Sequence, residues 1–381
     1  MWDSLTKCVH CGGWRDETVG AVTTPIYTSS SYRINGEAAL IRYPRYCNLP
    51  TQIAVAGQLA GLENGEAALA VSSGMAAITT TVLALVSSGD HVIVQHDVYG
   101  GTFHFATSEL RRFGIDISLV RSQAVEDFEK ELRNNTRLIL FETPTNPLLK
   151  IVDIRQMVHM AVSHGLTTVM DNTLASPINQ TPLDLGVDVV VHSGTKYLGG
   201  HSDLCCGAIV TSHTLMERIR DTAINLGVAL GPWECAQLER SIKTLGLRVR
   251  QHNAGGRAVA EFLAGHPRVK NVHFPGLADH PGHGTAVRQM TGFGGMVSFE
   301  PHGDAATARR FVDALQLFTH AVSLGGVESL VCFPAQTSHA KLSAEERLKI
   351  GVTDTLIRLS VGIEDTSDLI KDLAHGLSAS T

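Results

Sequence analysis

Between residues 61 and 212, short apolar runs rich in β-branched residues alternate with helical patterns, and few architectures accommodate that alternation. The strand candidates are 67–71, 91–95, 116–120, 138–142, 167–170, 187–191 and 208–211. Helical stretches lie between them, near 75–86, 102–113, 124–134 and 154–164. Strands buried on both faces and joined by helical crossovers form a mostly parallel sheet with helices packed on each side. The fold class is therefore α/β, and a ligand belongs at the carboxyl ends of the strands.

The flanking segments differ in character. Residues 1–60 are rich in Thr, Ser, Tyr, Pro and Gly and predict an extended arm with turns. A helix-rich connection is expected over 214–263. Beyond it only two strands, 296–299 and 356–361, stand beside helices near 305–315 and 366–377. The pattern predicts an arm (1–60), a large domain (61–245) and a smaller C-terminal α+β domain (246–381). With 381 residues, 44% of them apolar and 18% charged, the chain can bury a large core.

Several function classes fall away on composition. The net charge of −6 is spread along the chain without a like-charged block, which argues against a nucleic-acid partner. No stretch offers about 18 unbroken apolar residues, and the first thirty residues do not resemble a secretion signal, so a soluble cytoplasmic protein is expected. Seven cysteines fit reduced thiols better than a disulfide framework. Cys8 and Cys11 form a Cys-x-x-Cys pair without a second pair to complete a metal site, and incidental thiols are expected.

Polar residues gather at predicted strand ends. Asp171 closes one strand, and His192, Ser193, Thr195 and Lys196 follow the next. A lysine after a buried strand is desolvated, which lowers its pKa and suits an amine that must form a Schiff base. Ser193 and Thr195 supply hydroxyl donors for a phosphate, and Asp171 is placed to face a protonated pyridine nitrogen. Ser72-Ser73-Gly74-Met75 stands where a strand yields to a helix, whose first N–H groups favour an anion. Tyr99, just past a strand end, offers an aromatic face for a planar cofactor. Arg358 lies inside an apolar strand, where a charge is costly unless paired, and a substrate carboxylate is its natural partner.

Together these residues resemble the Cys/Met-metabolism family of pyridoxal-phosphate enzymes, from the arm containing Thr24-Pro25-Ile26-Tyr27 to Ser360-Val361-Gly362-Ile363-Glu364. The resemblance implies fold type I, the aspartate-aminotransferase-like fold with a seven-stranded sheet, and a homotetramer of two active dimers. It implies pyridoxal 5'-phosphate on Lys196, with Asp171 at the pyridine nitrogen and Tyr99 stacked on the ring. Gly74, Met75, Ser193 and Thr195 are implied on the phosphate, with Tyr43 and Arg45 of Tyr43-Pro44-Arg45 reaching a neighbouring subunit's phosphate. Arg358, Asn146 and Ser323 are implied on the substrate carboxylate. Gly325-Gly326-Val327-Glu328-Ser329 resembles the cystathionine-handling members, which makes Glu328 a substrate-side candidate. His104 stands where γ-synthases and γ-lyases often carry an Arg.

The implied activity is γ-elimination or γ-replacement on cystathionine or an O-acylhomoserine. Cystathionine β-lyase, methionine γ-lyase and O-acylhomoserine sulfhydrylase are the alternatives within the family. A nicotinamide-dependent oxidoreductase would need Gly-x-Gly-x-x-Gly after the first strand, which is absent. A metal hydrolase using His273, His280 and His283 is disfavoured, because Pro275, Gly276, Pro281 and Gly282 predict a loop there. No metal is expected.

Overall fold

The computed structural model describes residues 2–12, 16–34, 41–340 and 343–380. In it, β1 (Ala67–Val71), β2 (His91–Gln95), β3 (Asp116–Val120), β4 (Thr136–Glu142), β5 (Thr167–Asp171), β6 (Val189–Ser193) and β7 (Gly207–Thr211) form one sheet. Their order is β1-β7-β6-β5-β4-β2-β3. β7 runs antiparallel to β1 and β6, and the remaining pairs are parallel.

Alternate strand residues enter opposite cores, as the two-residue period of a pleated strand requires. Along β4, Leu138 and Leu140 pack with Val92, Val169 and the helix Gly74–Leu85, while Ile139 and Phe141 pack with Val190 and Met157 of the helix Ile154–Ser163. Each fully buried aliphatic side chain contributes about 1.5–3 kcal/mol. Unbroken apolar runs are thus what a sheet covered on both faces demands. The polar residues come last: β4, β5 and β6 end on Glu142, Asp171 and Ser193.

A second sheet contains β8 (Val269–His273), β9 (Met296–Pro301), β10 (Thr319–His320), β11 (Leu330–Cys332) and β12 (Ile357–Ser360), in the order β10-β11-β12-β9-β8. Only β9 and β12 were expected. β10 and β11 are two and three residues long, and β8 is incompletely buried, so none carries a strong apolar pattern. Val297, Phe299, Ile357 and Leu359 share a core with Phe311, Leu369 and Leu373. The helix Leu245–Ala264 joins the two halves, with Leu245 and Val249 in a core under the first sheet and Val259 and Leu263 in the core of the second.

Four expectations need correction. Residues 1–60 are not simply extended: Ser4–His10 and Pro50–Glu63 are helices, although 1, 13–15 and 35–40 lie outside the described residues. Pro50 is at the first helical position, where proline is favoured. The helix is buried on most sides, so it lacks the polar face that would have revealed a 3.6-residue period. The stretch 102–113 divides into Gly100–His104 and a π-helical segment, Phe105–Leu110, and 124–134 shortens to Val125–Glu129. The His273–His283 segment is not all loop, since His273 ends β8 and His283 opens the helix His283–Gln289.

Candidate active site

The carboxyl ends of the first sheet open on a cavity of about 500 Å³. Its first wall is the start of the helix Gly74–Leu85. Ser73 Oγ accepts the Ala76 N–H at 3.0 Å and the Ser73 carbonyl accepts the Ala77 N–H at 3.0 Å. The N–H groups of Gly74 and Met75 have no acceptor in the helix and are available to an anion. A Cβ on Gly74 would come within 2.7 Å of Ser193 Cβ, so glycine permits the close approach of helix start and β6. The Ser193 hydroxyl makes no hydrogen bond to the described residues. Thr195 Oγ1 donates to the Cys206 carbonyl at 3.2 Å and must turn to serve an anion.

Lys196 sits on a tight turn after β6. Its N–H donates to the Ser193 carbonyl at 3.1 Å, and its carbonyl accepts the Gly200 N–H at 2.7 Å. Behind the turn, the buried Arg248 donates to the carbonyls of Tyr197 (2.7 Å), Leu198 (3.4 Å) and Ser241 (2.8 Å). Lys196 Nζ donates to Ser323 Oγ at 2.8 Å. Burial, followed by the Arg358 charge, lowers its pKa below the ordinary lysine value. Ser323 itself holds φ at 86°, a left-handed conformation that costs a non-glycine residue about 1–3 kcal/mol and tends to occur at functional sites.

Two carboxylates stand opposite. Asp171 Oδ1 accepts the Thr173 N–H at 2.9 Å and the Thr173 hydroxyl at 2.5 Å, which leaves Oδ2 without a donor among the described residues. Thr173 Oγ1 in turn accepts the Ser193 N–H at 2.8 Å. Glu142, beside Asp171 in register, accepts the Tyr99 N–H at 2.9 Å and the Asn146 N–H at 3.0 Å. Burial raises the pKa of both groups, and the neighbouring Asp171 charge adds to the rise at Glu142.

Arg358 reaches the cavity from β12. It is buried, donating from Nη1 to Asn146 Oδ1 at 3.0 Å and from Nη2 to the Ser323 carbonyl at 2.8 Å. Nε is buried without a partner, and no carboxylate of the described residues pairs with the guanidinium. A buried guanidinium that meets only neutral acceptors and keeps one N–H unpartnered fits a site for an incoming carboxylate. Tyr99 is half exposed along the same wall.

Gly74, Met75, Tyr99, Asn146, Asp171, Ser193, Thr195, Lys196, Ser323 and Arg358 all line this one cavity. Tyr43, Arg45 and Glu328 do not. Arg45 Nη1 donates to the Ile224 carbonyl at 2.7 Å, and Glu328 Oε2 accepts the Ser202 hydroxyl at 3.0 Å. His283 Nδ1 lies 2.8 Å from the Pro275 carbonyl, and no cluster of three His, Cys, Asp or Glu among the described residues is arranged to hold a metal. Sequence reasoning gave no role to Glu142 or Thr173. Both were discoverable, one as the last residue of an apolar strand and the other two residues beyond Asp171.

The donor set suits pyridoxal phosphate: an anion cradle, a buried lysine amine with a lowered pKa, an open carboxylate oxygen and an aromatic wall. The family described as Cys/Met metabolism PLP-dependent enzyme matches residues 5–378. Cystathionine gamma-lyase of Bacillus subtilis is 46% identical over 375 residues, 98% of each chain, and cystathionine beta-lyase of Lactococcus lactis is 45% identical over 380 residues, 99% of each. The crystal structure of cystathionine gamma synthase from Xanthomonas oryzae pv. oryzae in complex with cystathionine superposes with a TM-score of 0.96 at 41% identity, covering 100% of this chain and 99% of that one. With the lysine, the carboxylates and the guanidinium gathered in one cavity and the match running almost end to end, the chain belongs to the Cys/Met metabolism family of PLP-dependent enzymes.

Proposed function

We propose that this enzyme is a carbon–sulfur lyase or γ-synthase of sulfur amino-acid metabolism, acting by γ-elimination or γ-replacement on cystathionine or an O-acylhomoserine. The observation that carries this reading is the position of Ser323. Its hydroxyl accepts from the Lys196 amine and its carbonyl accepts from Arg358, so one residue sets the base beside the carboxylate anchor.

Pyridoxal phosphate, when bound, supplies an electron-withdrawing ring that stabilises negative charge at the substrate Cα. Gly74, Met75, Ser193 and Thr195 would hold its phosphate, Asp171 would face its ring nitrogen, and Tyr99 would lie against its ring. Arg358, with Asn146 and Ser323, fixes the substrate carboxylate and thereby aims the Cα–H at Lys196. Lys196, whose pKa is lowered by burial and by the Arg358 charge, takes the Cα proton as general base. In γ chemistry the amine must first hand the Cα proton on to the bound substrate–cofactor unit before it can take a Cβ proton, and Tyr99 or Lys196 would then donate a proton to the group leaving Cγ. Glu328, whose carboxylate accepts the Ser202 hydroxyl, is kept on the substrate side by the family resemblance.

The arm of each subunit, in this reading, sends Tyr43 and Arg45 to the phosphate of a neighbour within a homotetramer of two active dimers. Residues 61–245 act as the large cofactor domain and 246–381 as the smaller one, in a cytoplasmic enzyme. Incubation with L-cystathionine tests the reaction. Formation of 2-oxobutanoate and cysteine supports γ-elimination, while pyruvate and homocysteine move the enzyme to the β-lyase alternative. Cystathionine formed only from an O-acylhomoserine and cysteine identifies γ-replacement. No product from any of these with added cofactor contradicts the reading.

A further inference from the structure

Glu142 is a buried carboxylate in the wall of the cavity, and the reaction outlined above makes no use of it. It is 2% exposed, ends β4, and gives both oxygens to main-chain donors from two different loops. Oε2 holds the N–H of Tyr99, in the turn after β2, and Oε1 holds the N–H of Asn146, in the loop after β4. The Glu142 N–H also donates to Gln95 Oε1 at 2.9 Å, tying the strand end to the last residue of β2. Farther out, Lys150 Nζ donates to Asp97 Oδ2 at 2.6 Å and joins the same two loops a second time.

Burying a carboxylate here is costly. Asp171 is its neighbour across the β4–β5 ladder, and both Asp171 and Asp97 push its pKa up on top of the effect of burial. A neutral strut such as glutamine cannot replace it without loss, since an amide has one acceptor oxygen and the site presents two N–H donors. The acidic side chain is therefore matched to a geometric role, that of holding two loops at once.

We propose that Glu142 is a positioning residue that locks the Tyr99 turn to the Asn146 loop, so that the face over the cofactor ring and the partner of the substrate carboxylate keep one fixed relation. The proposal deepens the reading of Tyr99 and Asn146 given above and rests on it. Misplacing reacting groups by about 1 Å costs roughly a hundredfold in rate. The loss falls on alignment as well as on folding, which separates this role from that of a strut.

The test compares cofactor-saturated wild type, Glu142→Gln and Glu142→Asp. Three quantities are measured: circular dichroism of the visible cofactor band, the cofactor Kd by equilibrium dialysis, and kcat and KM with L-cystathionine. Glu142→Gln is expected to change the amplitude of the visible dichroism, to weaken cofactor binding by about tenfold and to lower kcat/KM by roughly a hundredfold. Glu142→Asp keeps the charge but has a shorter reach, and it is expected to fall between. Both variants showing wild-type dichroism, Kd and kcat/KM in the folded fraction, with only the melting temperature lowered, would overturn the proposal and leave a plain strut. If Glu142→Gln does not fold, the Glu142→Asp comparison decides alone by the same criteria. Wild type that shows no visible band with added cofactor sinks the functional reading itself, a result distinct from any difference among variants.

Discussion

The two sheets present their functional groups in different ways. The first delivers Glu142, Asp171 and Ser193 as the last residues of β4, β5 and β6, where the chain leaves the apolar layers and polar groups meet the cavity. The second delivers Arg358 from inside β12, between the fully buried Ile357 and Leu359. A strand-end carboxylate meets donors from the loops that leave the sheet, Thr173 for Asp171 and the Tyr99 and Asn146 N–H groups for Glu142. A mid-strand guanidinium needs partners from elsewhere, and it takes them from Asn146 and Ser323. In the proposed reading, ring chemistry belongs to the first sheet and substrate anchoring to the second, with Lys196 between them through its bond to Ser323.

That division predicts separable failures. The largest is expected at the first sheet: Asp171→Asn removes the charge facing the ring nitrogen, and kcat should fall by about a thousandfold. KM for cystathionine should change by much less, and an equal loss in both parameters would merge the two roles. Next comes the second sheet. Arg358→Lys keeps the charge but loses the planar fork, and it should raise KM by roughly thirtyfold while leaving the visible cofactor band intact. Loss of that band in Arg358→Lys would break the comparison.

The smallest effect is one of pH. His252, fully buried, meets the Tyr197 ring edge to face and shares a hydrogen bond with the Val361 carbonyl, linking the Lys196 turn to the end of β12. Burial lowers its pKa to about 4. The unfolded chain takes up that proton near pH 6.5. Between these values the unfolded state binds more protons, so stability falls as pH falls, by on the order of 1.4 kcal/mol per unit for one such group. His280 and His339, also lowered to about 4, act in the same direction. Asp171 and Glu142, with raised pKa values, act oppositely: the folded state holds their protons more tightly, and stability falls as pH rises above about 4. Chemical denaturation from pH 6.5 to 4.5 should give a shallower acid-side loss for His252→Gln than for wild type. Identical slopes would remove His252 from the account.

Much of the fold and most of the site are legible in the amino-acid sequence. All seven strands of the first sheet announce themselves as apolar runs, and residues at or just past the ends of several of them line the cavity. Arg358 is legible for the opposite reason, as a charge with no business in an apolar strand unless something pairs with it. The helix Pro50–Glu63 is hidden because burial on most sides erases its period, and β10 and β11 because runs of two and three residues carry no pattern. Ser323 is implicated by family resemblance, but its strained backbone and double duty toward Lys196 and Arg358 are properties of tertiary structure. Glu142 escapes notice because it holds main-chain N–H groups, and those donors are invisible in a string of side chains.

The central claim is that Lys196 is the amine that carries the cofactor, and covalent trapping tests it most directly. The purified enzyme, saturated with pyridoxal phosphate, is reduced with borohydride, digested and mapped by mass spectrometry. The account predicts one dominant reduced adduct on the peptide containing Lys196, absent from Lys196→Ala. A stable adduct on another lysine, or none at all in wild type, would contradict it.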